Sequence, residues 1–341
     1  MAATRIASTL ASGTEILFAL GLGERVVAVS HECDYPPAVN ALPRITRSRV
    51  DGRASSSEID RQVRALAGRG EPLYEIDLQR LSSLKPDLIV AQSHCDVCAV
   101  SGDDVRRAIA AAPASAETPS TAETPASAAT PTLTASPAFT AMPELAATKV
   151  VDLNAATLSG LFDDIRRVGR MAGGNSRATN LIEALRGRIE AVAARTRPLQ
   201  PTARPRTACI EWIEPLSLAA NWMPDLLDLA GGRCELTASG QRSGFTGWET
   251  IRAFEPQVIV VMPCGFDLER TLEAAGVLTS QDGWDALPAV RRRRVWAMDG
   301  NAYFNRSGPR LIDSVELLAH ILHPELFPQF ARLCASAARR M

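Results

Sequence analysis

The sequence lacks an excess of charge of either sign, since 37 Lys and Arg residues stand against 38 Asp and Glu residues. This balance excludes a polyanion such as nucleic acid as a partner of the chain as a whole. The dense basic block Arg291–Arg294 is interpreted as a solvated turn before a strand. The chain also lacks an apolar run long enough to cross a bilayer. The composition therefore predicts a globular protein that neither binds nucleic acid nor inserts into a membrane.

An export signal and catalytic motifs are also missing. The N-terminal residues contain no basic region followed by a long apolar one, so we expect a cytosolic protein, or a periplasmic one if the start is truncated. The seven cysteines, an odd number, then indicate reduced thiols rather than a disulfide framework. No Gly-x-Ser-x-Gly elbow, Walker loop or complete Gly-x-Gly-x-x-Gly fingerprint is present. The sequence thus predicts a protein that is not an enzyme.

What the sequence does contain is an alternation of strand and helix patterns, which predicts an α/β fold with mainly parallel sheets. The apolar runs Leu88–Ala91 and Val258–Met262 are typical of fully buried strands. The segments Leu84–Val90 and Phe254–Val260 resemble one another, and each is followed by a loop that contains cysteine. We therefore expect two similar lobes.

The boundaries of these lobes follow from the composition. The predicted N-terminal α/β lobe covers residues 1–155 and includes a disordered insertion, residues 113–148, made of Ala, Thr, Ser and Pro. Residues 156–198 form a linking helix, which Gly173 and Gly174 bend or split in two. The C-terminal α/β lobe covers residues 199–341.

The stretch from Asp87 to Ser101 is the first candidate for a binding site. A buried strand is followed directly by His94, Cys95 and Cys98 and then by the start of a helix. In open α/β sheets, ligands bind just outside the carboxyl ends of the strands. We therefore expect the two thiols and the imidazole to lie at a ligand site.

Several short motifs resemble one known family. They are Thr14-Glu15-Ile16-Leu17, Ala19-Leu20-Gly21, Cys33-Asp34-Tyr35-Pro36, Leu84-Lys85-Pro86-Asp87-Leu88-Ile89, Pro263-Cys264-Gly265-Phe266, Trp284 and Gly308-Pro309-Arg310. In this order the chain resembles the cobalamin/iron-siderophore substrate-binding family, and most of all its cobalamin-binding members. The resemblance covers nearly everything outside residues 113–148. It implies the class III fold, in which two Rossmann-like lobes are joined by a long helix and hold a ligand between them.

The resemblance also bears on partners. Family members that serve ABC importers carry one acidic residue in each lobe that docks on the permease; here Gln79 and Glu249 stand at the matching places. Because no export signal is visible and Gln79 is not acidic, we expect a soluble corrinoid-binding protein, such as a cytosolic carrier, rather than an importer component. We also expect a monomer. An ABC permease is the weaker of the two expected partners, after the corrinoid itself.

A corrin is a broad apolar disc with amide fringes, so its site needs aromatic faces and scattered hydrogen-bonding groups. Aromatic residues are scarce, with five Trp, three Tyr and nine Phe, and many fall in loops of the second half. For Trp212, packing in the core is as good an interpretation as ligand binding. For Trp248 and Trp284, packing in the core is the better interpretation. The predicted ligand-binding residues are Ser12, His31, Cys33, Tyr35, Ser56, Gln92, Trp212, Trp222, Phe245, Phe266, Tyr303, Phe304, Asn305 and Arg306.

The thiols support an alternative hypothesis, a metal-binding or thiol-redox protein. The candidate ligands are His31, Cys33, Cys95, Cys98 and Cys264, which would hold zinc or an iron–sulfur cluster. An imidazole or thiolate could instead ligate the cobalt of a bound corrinoid, and a thiol before a helix start could be redox-active. Burial as small apolar residues is the remaining interpretation of these cysteines.

Overall fold

The computed structural model describes residues 2–93, 99–110 and 145–341. The first lobe has a central sheet in the order β2-β1-β5-β6, and all the pairs in it are parallel. Most of the insertion predicted over residues 113–148 lies outside the described residues. The elements of the lobe are β1 (Ile6–Ser8), α1 (Ala11–Ala19), β2 (Val26–Ala28), β3 (Thr46–Ser48), α2 (Ser56–Gly68), β4 (Tyr74–Ile76), α3 (Leu78–Leu84), β5 (Leu88–Gln92), α4 (Gly102–Ala110) and β6 (Lys149–Leu153).

Two helices join the lobes, α5 (Leu158–Met171) and α6 (Asn175–Thr196). The sequence left open whether the helical pattern bends or splits, and the structure splits it. Gly173 adopts a φ of +73°, a left-handed conformation that ends a helix and that glycine adopts at little steric cost. On the second helix, Arg188 donates to Asp313 at 2.5 Å and to Glu316 at 2.7 Å, which ties the connection to the second lobe.

The second lobe has a six-stranded sheet in the order β12-β11-β10-β7-β8-β9, with a parallel centre and antiparallel strands toward both edges. With the first lobe, this arrangement confirms the predicted fold class. No helix among the described residues is long and apolar enough to cross a membrane. The elements are β7 (Thr207–Trp212), β8 (Ser217–Leu218), α7 (Met223–Leu229), β9 (Gly244–Phe245), α8 (Trp248–Phe254), β10 (Val258–Val261), α9 (Leu268–Ala275), α10 (Pro288–Arg291), β11 (Val295–Met298), α11 (Gly300–Tyr303), α12 (Leu311–Leu322), α13 (Ala331–Ala337) and β12 (Ala338–Arg340).

The central strands form because their apolar runs are covered on both faces. All five residues of β5 and all four of β10 are buried, as expected for parallel strands between layers of helices. A large apolar cluster runs from Leu17 in α1 through Phe162 in α5 to Leu226 in α7 and Leu317 in α12. The core therefore continues from one lobe to the other through the connecting helices.

A small unit projects from the first lobe beside the main sheet. Strands β3 and β4 pair antiparallel to each other, with Thr46 opposite Ile76, and α2 lies between them in the chain. The side chain of Ser55 accepts a hydrogen bond from the Glu58 amide and so caps α2, as a helix start requires. Of the thirteen residues of α2, only Ser56 and Leu66 are buried.

Candidate functional site

A cleft of about 320 Å³ lies between the lobes, at the carboxyl ends of strands of both sheets. Parallel strands direct their carboxyl ends to one edge, so loops distant in sequence meet there. The first lobe contributes Leu10, Ala11, Ser12, Glu32, Gln92, Ala99 and Leu153. The second lobe contributes Glu211, Asn221, Trp222, Arg242, Ser243, Cys264, Gly265, Asn301, Asn305, Arg306 and Ser307.

The structure brings part of the predicted site together. Six residues named from the sequence line the cleft: Ser12, Gln92, Trp222, Cys264, Asn305 and Arg306. Nine others do not line it, namely His31, Cys33, Tyr35, Ser56, Trp212, Phe245, Phe266, Tyr303 and Phe304. The roles of all these residues in binding stay predictions.

Most of the predicted aromatic faces have other neighbours. Phe266 and Phe304 are each only 1% exposed, and Trp212 packs edge-on against Phe266 with ring centroids 5.5 Å apart. Trp222 lines the cleft while its indole N–H donates to the Phe304 carbonyl at 2.9 Å. Tyr35 lies under the Arg310 guanidinium at 4.3 Å. The core interpretation holds for two further tryptophans, since Trp248 and Trp284 stack on each other while buried.

A network of charges joins the lobes beside the cleft. Arg306 donates to both oxygens of Asp34, at 2.5 and 2.9 Å, and approaches Glu15 at 3.3 Å. Arg310 donates to both oxygens of Glu15, at 3.0 and 2.5 Å. Burial alone would raise the pKa of Asp34, but hydrogen bonds from Arg306 and Asn301 hold it below its ordinary value. The Asp34 carboxylate is therefore ionised, and its charge is compensated across the lobes by Arg306.

Two further carboxyl groups line the cleft from opposite lobes. Burial raises the pKa of Glu32 to about 7, although the charge of Arg306 acts in the other direction. Burial also raises the pKa of Glu211, whose carboxylate accepts a hydrogen bond from Ser243. Near neutral pH, Glu32 is present in both protonation states. It can therefore donate a hydrogen bond as well as accept one.

Several lining residues were missed in the sequence. Glu32 and Asn301 follow strands β2 and β11 closely, so their position was a usable signal. Asn221, Arg242 and Ser243 carry no such signal, because they lie in the chain between β8 and β9, the antiparallel extension of the second sheet, and follow no parallel strand. Only the tertiary fold brings that extension over the cleft.

The predicted metal ligands are not gathered together as far as the structure describes them. Cys33 is buried against the Thr14 hydroxyl at 3.1 Å, and burial raises its pKa to about 11, so it is a thiol rather than the thiolate that metals bind. The His31 ring contacts the Thr46 hydroxyl at 2.7 Å. Cys264 lines the cleft. His94, Cys95 and Cys98 lie outside the described residues, and among those that are described no three His, Cys, Asp or Glu side chains group around a metal position.

The fold and this cleft define a two-lobed binding protein. The chain belongs to the periplasmic binding protein family, whose sequence model matches residues 6–302. It is a ligand-binding protein and not an enzyme, and the family predicted from the sequence motifs is confirmed.

Relatives agree with this assignment. The ABC transporter substrate-binding lipoprotein YvrC of Bacillus subtilis is 21% identical over 329 residues, which cover 95% of this chain and 82% of that protein. A vitamin B12-binding protein of Vibrio cholerae is 33% identical over 89 residues, which cover 26% of this chain and 23% of that protein.

Solved structures have the same fold. The periplasmic vitamin B12 binding protein BtuF of Vibrio cholerae matches with a TM-score of 0.60 at 21% identity, covering 94% of this chain and 96% of that one. A periplasmic heme binding protein of Pseudomonas aeruginosa matches with a TM-score of 0.63 at 18% identity, covering 94% and 93%. The expectation of a cytosolic protein is wrong, since the family and these relatives are periplasmic or lipoprotein binding proteins.

Proposed function

We propose that the chain binds a corrinoid such as cobalamin in the cleft, outside the cytoplasm, and delivers it to an ABC permease. The observation that carries the proposal is the amide- and hydroxyl-rich lining, to which both lobes contribute. A corrin presents amide groups, which need donors and acceptors together rather than a cluster of cations. These polar residues are Ser12, Gln92, Asn221, Ser243, Asn301, Asn305 and Ser307.

The charged residues of the cleft favour a ligand whose peripheral groups are uncharged. Heme carries carboxylate groups, which arginine would bind. Two arginines, Arg242 and Arg306, line the cleft together with two glutamates, Glu32 and Glu211. Arg306 is already held by Asp34 and by the Asn301 side-chain oxygen at 2.8 Å. Glu32 and Glu211 would repel a carboxylate once ionised. The lining therefore favours an amide-fringed ligand over an anionic one.

The volume of the cleft limits how much of a corrinoid can enter it. At about 320 Å³ the space is at the low end of the roughly 300–1,000 Å³ that drug-sized ligands occupy. A corrinoid is larger than such ligands. We therefore expect it to enter the cleft with one edge of its ring, against Trp222, and to require some separation of the lobes. The Cys264 thiol lines the cleft and is the candidate there for cobalt ligation.

A visible absorption titration tests the proposal, with aquocobalamin, cyanocobalamin and hemin as probes. We expect saturable binding of at least one corrinoid and weaker binding of hemin. The variant Ser307→Trp places a large side chain in a loop that lines the cleft and should weaken binding at least ten-fold. Ser336→Trp, on the exposed side of α13, is the matched control and should bind normally.

Saturable binding of hemin alone would overturn the corrinoid proposal, although the chain would still be a ligand-binding protein. Equal binding by the Ser307 and Ser336 variants would place the ligand outside the cleft. A spectral change with aquocobalamin that is lost in Cys264→Ser would identify the thiol as the cobalt ligand.

A further inference from the structure

The helix α2 and the loop before it are loosely held by their own lobe. We call residues 51–68 the entrance segment. Only Ser56 and Leu66 of α2 are buried. The base of the segment is the two-stranded ribbon in which Thr46 of β3 pairs with Ile76 of β4. Because little apolar surface fixes the segment to the first lobe, it can move away at small cost.

The entrance segment contacts the second lobe at two places. The Arg270 side chain in α9 donates to the Ala54 carbonyl at 2.7 Å, and its guanidinium lies 3.5 Å from the centre of the Phe266 ring. The Arg64 guanidinium in α2 lies 5.2 Å from the centre of the Phe245 ring. The Arg64–Phe245 contact thus joins the lobes as a cation–π pair, whereas Arg270 joins them through its hydrogen bond to Ala54 and stacks on Phe266 within the second lobe.

Both contacts stand beside the cleft. Phe245 comes two residues after Ser243, and Phe266 follows Gly265; Ser243 and Gly265 both line the cleft. Phe245 is also 62% exposed, so its ring lies at the surface, where the Arg64 guanidinium reaches it. Phe245 is therefore placed to contact the entrance segment rather than to line the ligand site, while the buried Phe266 supports Arg270 from within the second lobe.

We propose that the entrance segment is a gate, closed by the Arg64–Phe245 and Arg270–Ala54 contacts, which must part for a ligand to enter or leave. The proposal rests on the proposed function only in taking the cleft as the ligand site. A cation–π contact at an exposed site changes an equilibrium by about two- to five-fold. The Arg64–Phe245 contact therefore biases the gate toward the closed state without locking it, and the Arg270–Ala54 hydrogen bond adds to that bias.

The gate can be tested without any ligand, because the Cys264 thiol lines the cleft. Its rate of alkylation by N-ethylmaleimide, followed by peptide mass spectrometry, reports how often the cleft opens. We expect Arg64→Ala and Phe245→Ala each to raise this rate about two- to five-fold. The double variant Arg64→Ala/Arg270→Ala should raise it further. Cys234, half-buried and outside the cleft lining, is the internal reference and should react at an unchanged rate.

The matched control is Arg61→Ala, on the same helix. Arg61 pairs with Glu58 at 2.5 Å within α2, so its removal takes away an arginine without touching a contact between the lobes. An unchanged Cys264 rate in the double variant would overturn the gate. So would an equal rise at Cys234, since that indicates general loosening, or an equal rise in Arg61→Ala.

Stopped-flow mixing with cyanocobalamin separates this proposal from the proposed function. Faster association in the gate variants, with the Arg61→Ala rate unchanged, supports both. If neither the original chain nor any variant binds the corrinoid, but the gate variants still raise the alkylation rate of Cys264, the corrinoid proposal fails and the gate stands. If binding is normal and neither the association rate nor the alkylation rate responds, the gate fails and the corrinoid proposal stands.

Discussion

At the scale of single residues, Glu15 is the most deeply buried member of the charge network that joins the lobes. Its side chain is 2% exposed in α1, and its two oxygens accept three hydrogen bonds from arginines of the second lobe. A buried carboxylate is tolerated only when it is paired and hydrogen-bonded. Arg310 in turn stacks on Tyr35, so the charge network also orders an exposed aromatic residue.

Removing the Glu15 charge should therefore destabilise the chain. We expect Glu15→Gln to lower the free energy of unfolding by about 3 kcal/mol, because two buried guanidinium groups lose their shared counter-charge. Denaturant unfolding at neutral pH measures this change. Glu24→Gln, a substitution at an exposed glutamate on a nearby turn, is the control and should leave stability nearly unchanged. Equal losses in the two variants would contradict the role of the network.

At the scale of elements, the close packing of α1 on the first sheet depends on Gly13. A Cβ atom at Gly13 would stand 2.7 Å from the Val90 side chain of β5 and 3.0 Å from the Ser8 hydroxyl of β1. The helix that carries Glu15 and Ser12 therefore approaches the strands closely only because this position has no side chain. Gly187 in α6 is the opposite case, since a Cβ there would meet nothing within 4 Å.

These two helical glycines allow a paired prediction. Gly13→Ala should cost about 1–3 kcal/mol of unfolding free energy, because the added methyl group overpacks the contact with β5. Gly187→Ala should stabilise the chain by about 0.5–1 kcal/mol, since alanine favours the helix and nothing obstructs it. Thermal and denaturant unfolding of both variants check this. A stabilising Gly13→Ala would show that α1 can shift away from the sheet.

At the scale of the whole molecule, the lobes are coupled by packing as well as by charge. One apolar cluster contains Leu17 of the first lobe, Ile182 of the connection and Leu226 of the second lobe. A separate cluster around Ile251 and Val261 belongs to the second lobe alone. Because the larger cluster contains residues of both lobes, unfolding of one lobe would expose apolar side chains of the other.

The chain should therefore unfold in one cooperative transition, although it has two lobes. Leu226→Ala in the shared cluster and Ile251→Ala in the second-lobe cluster should each cost about 2–5 kcal/mol and lower the temperature of that same transition. Differential scanning calorimetry makes the measurement. Two separate heat-absorption peaks, only one of which moves in Ile251→Ala, would contradict this coupling.

The local sequence was enough to predict the class of fold. Strands β5 and β10 contain the apolar runs Leu88–Ala91 and Val258–Val261, and short runs of this kind are typical of parallel strands buried on both faces. The cap at Ser55 and the break at Gly173 are equally local, because each depends on the backbone preferences of a few neighbouring residues. The motifs that suggested the family are short and lie in sequence order, so they too could be recognised without the structure. The sequence also predicted that the loops after the strands would meet.

The tertiary structure alone decided which side chains face the cleft. Glu15 and Arg310 stand 295 positions apart, and nothing in the pattern around either residue indicates the pairing. Phe245 and Phe266 were predicted to contact a ligand, but the structure places them beside the entrance, in contact with Arg64 and Arg270. The physical reason is that hydrophobic periodicity fixes the buried face of each element, whereas the orientation of a loop side chain depends on how distant elements pack together.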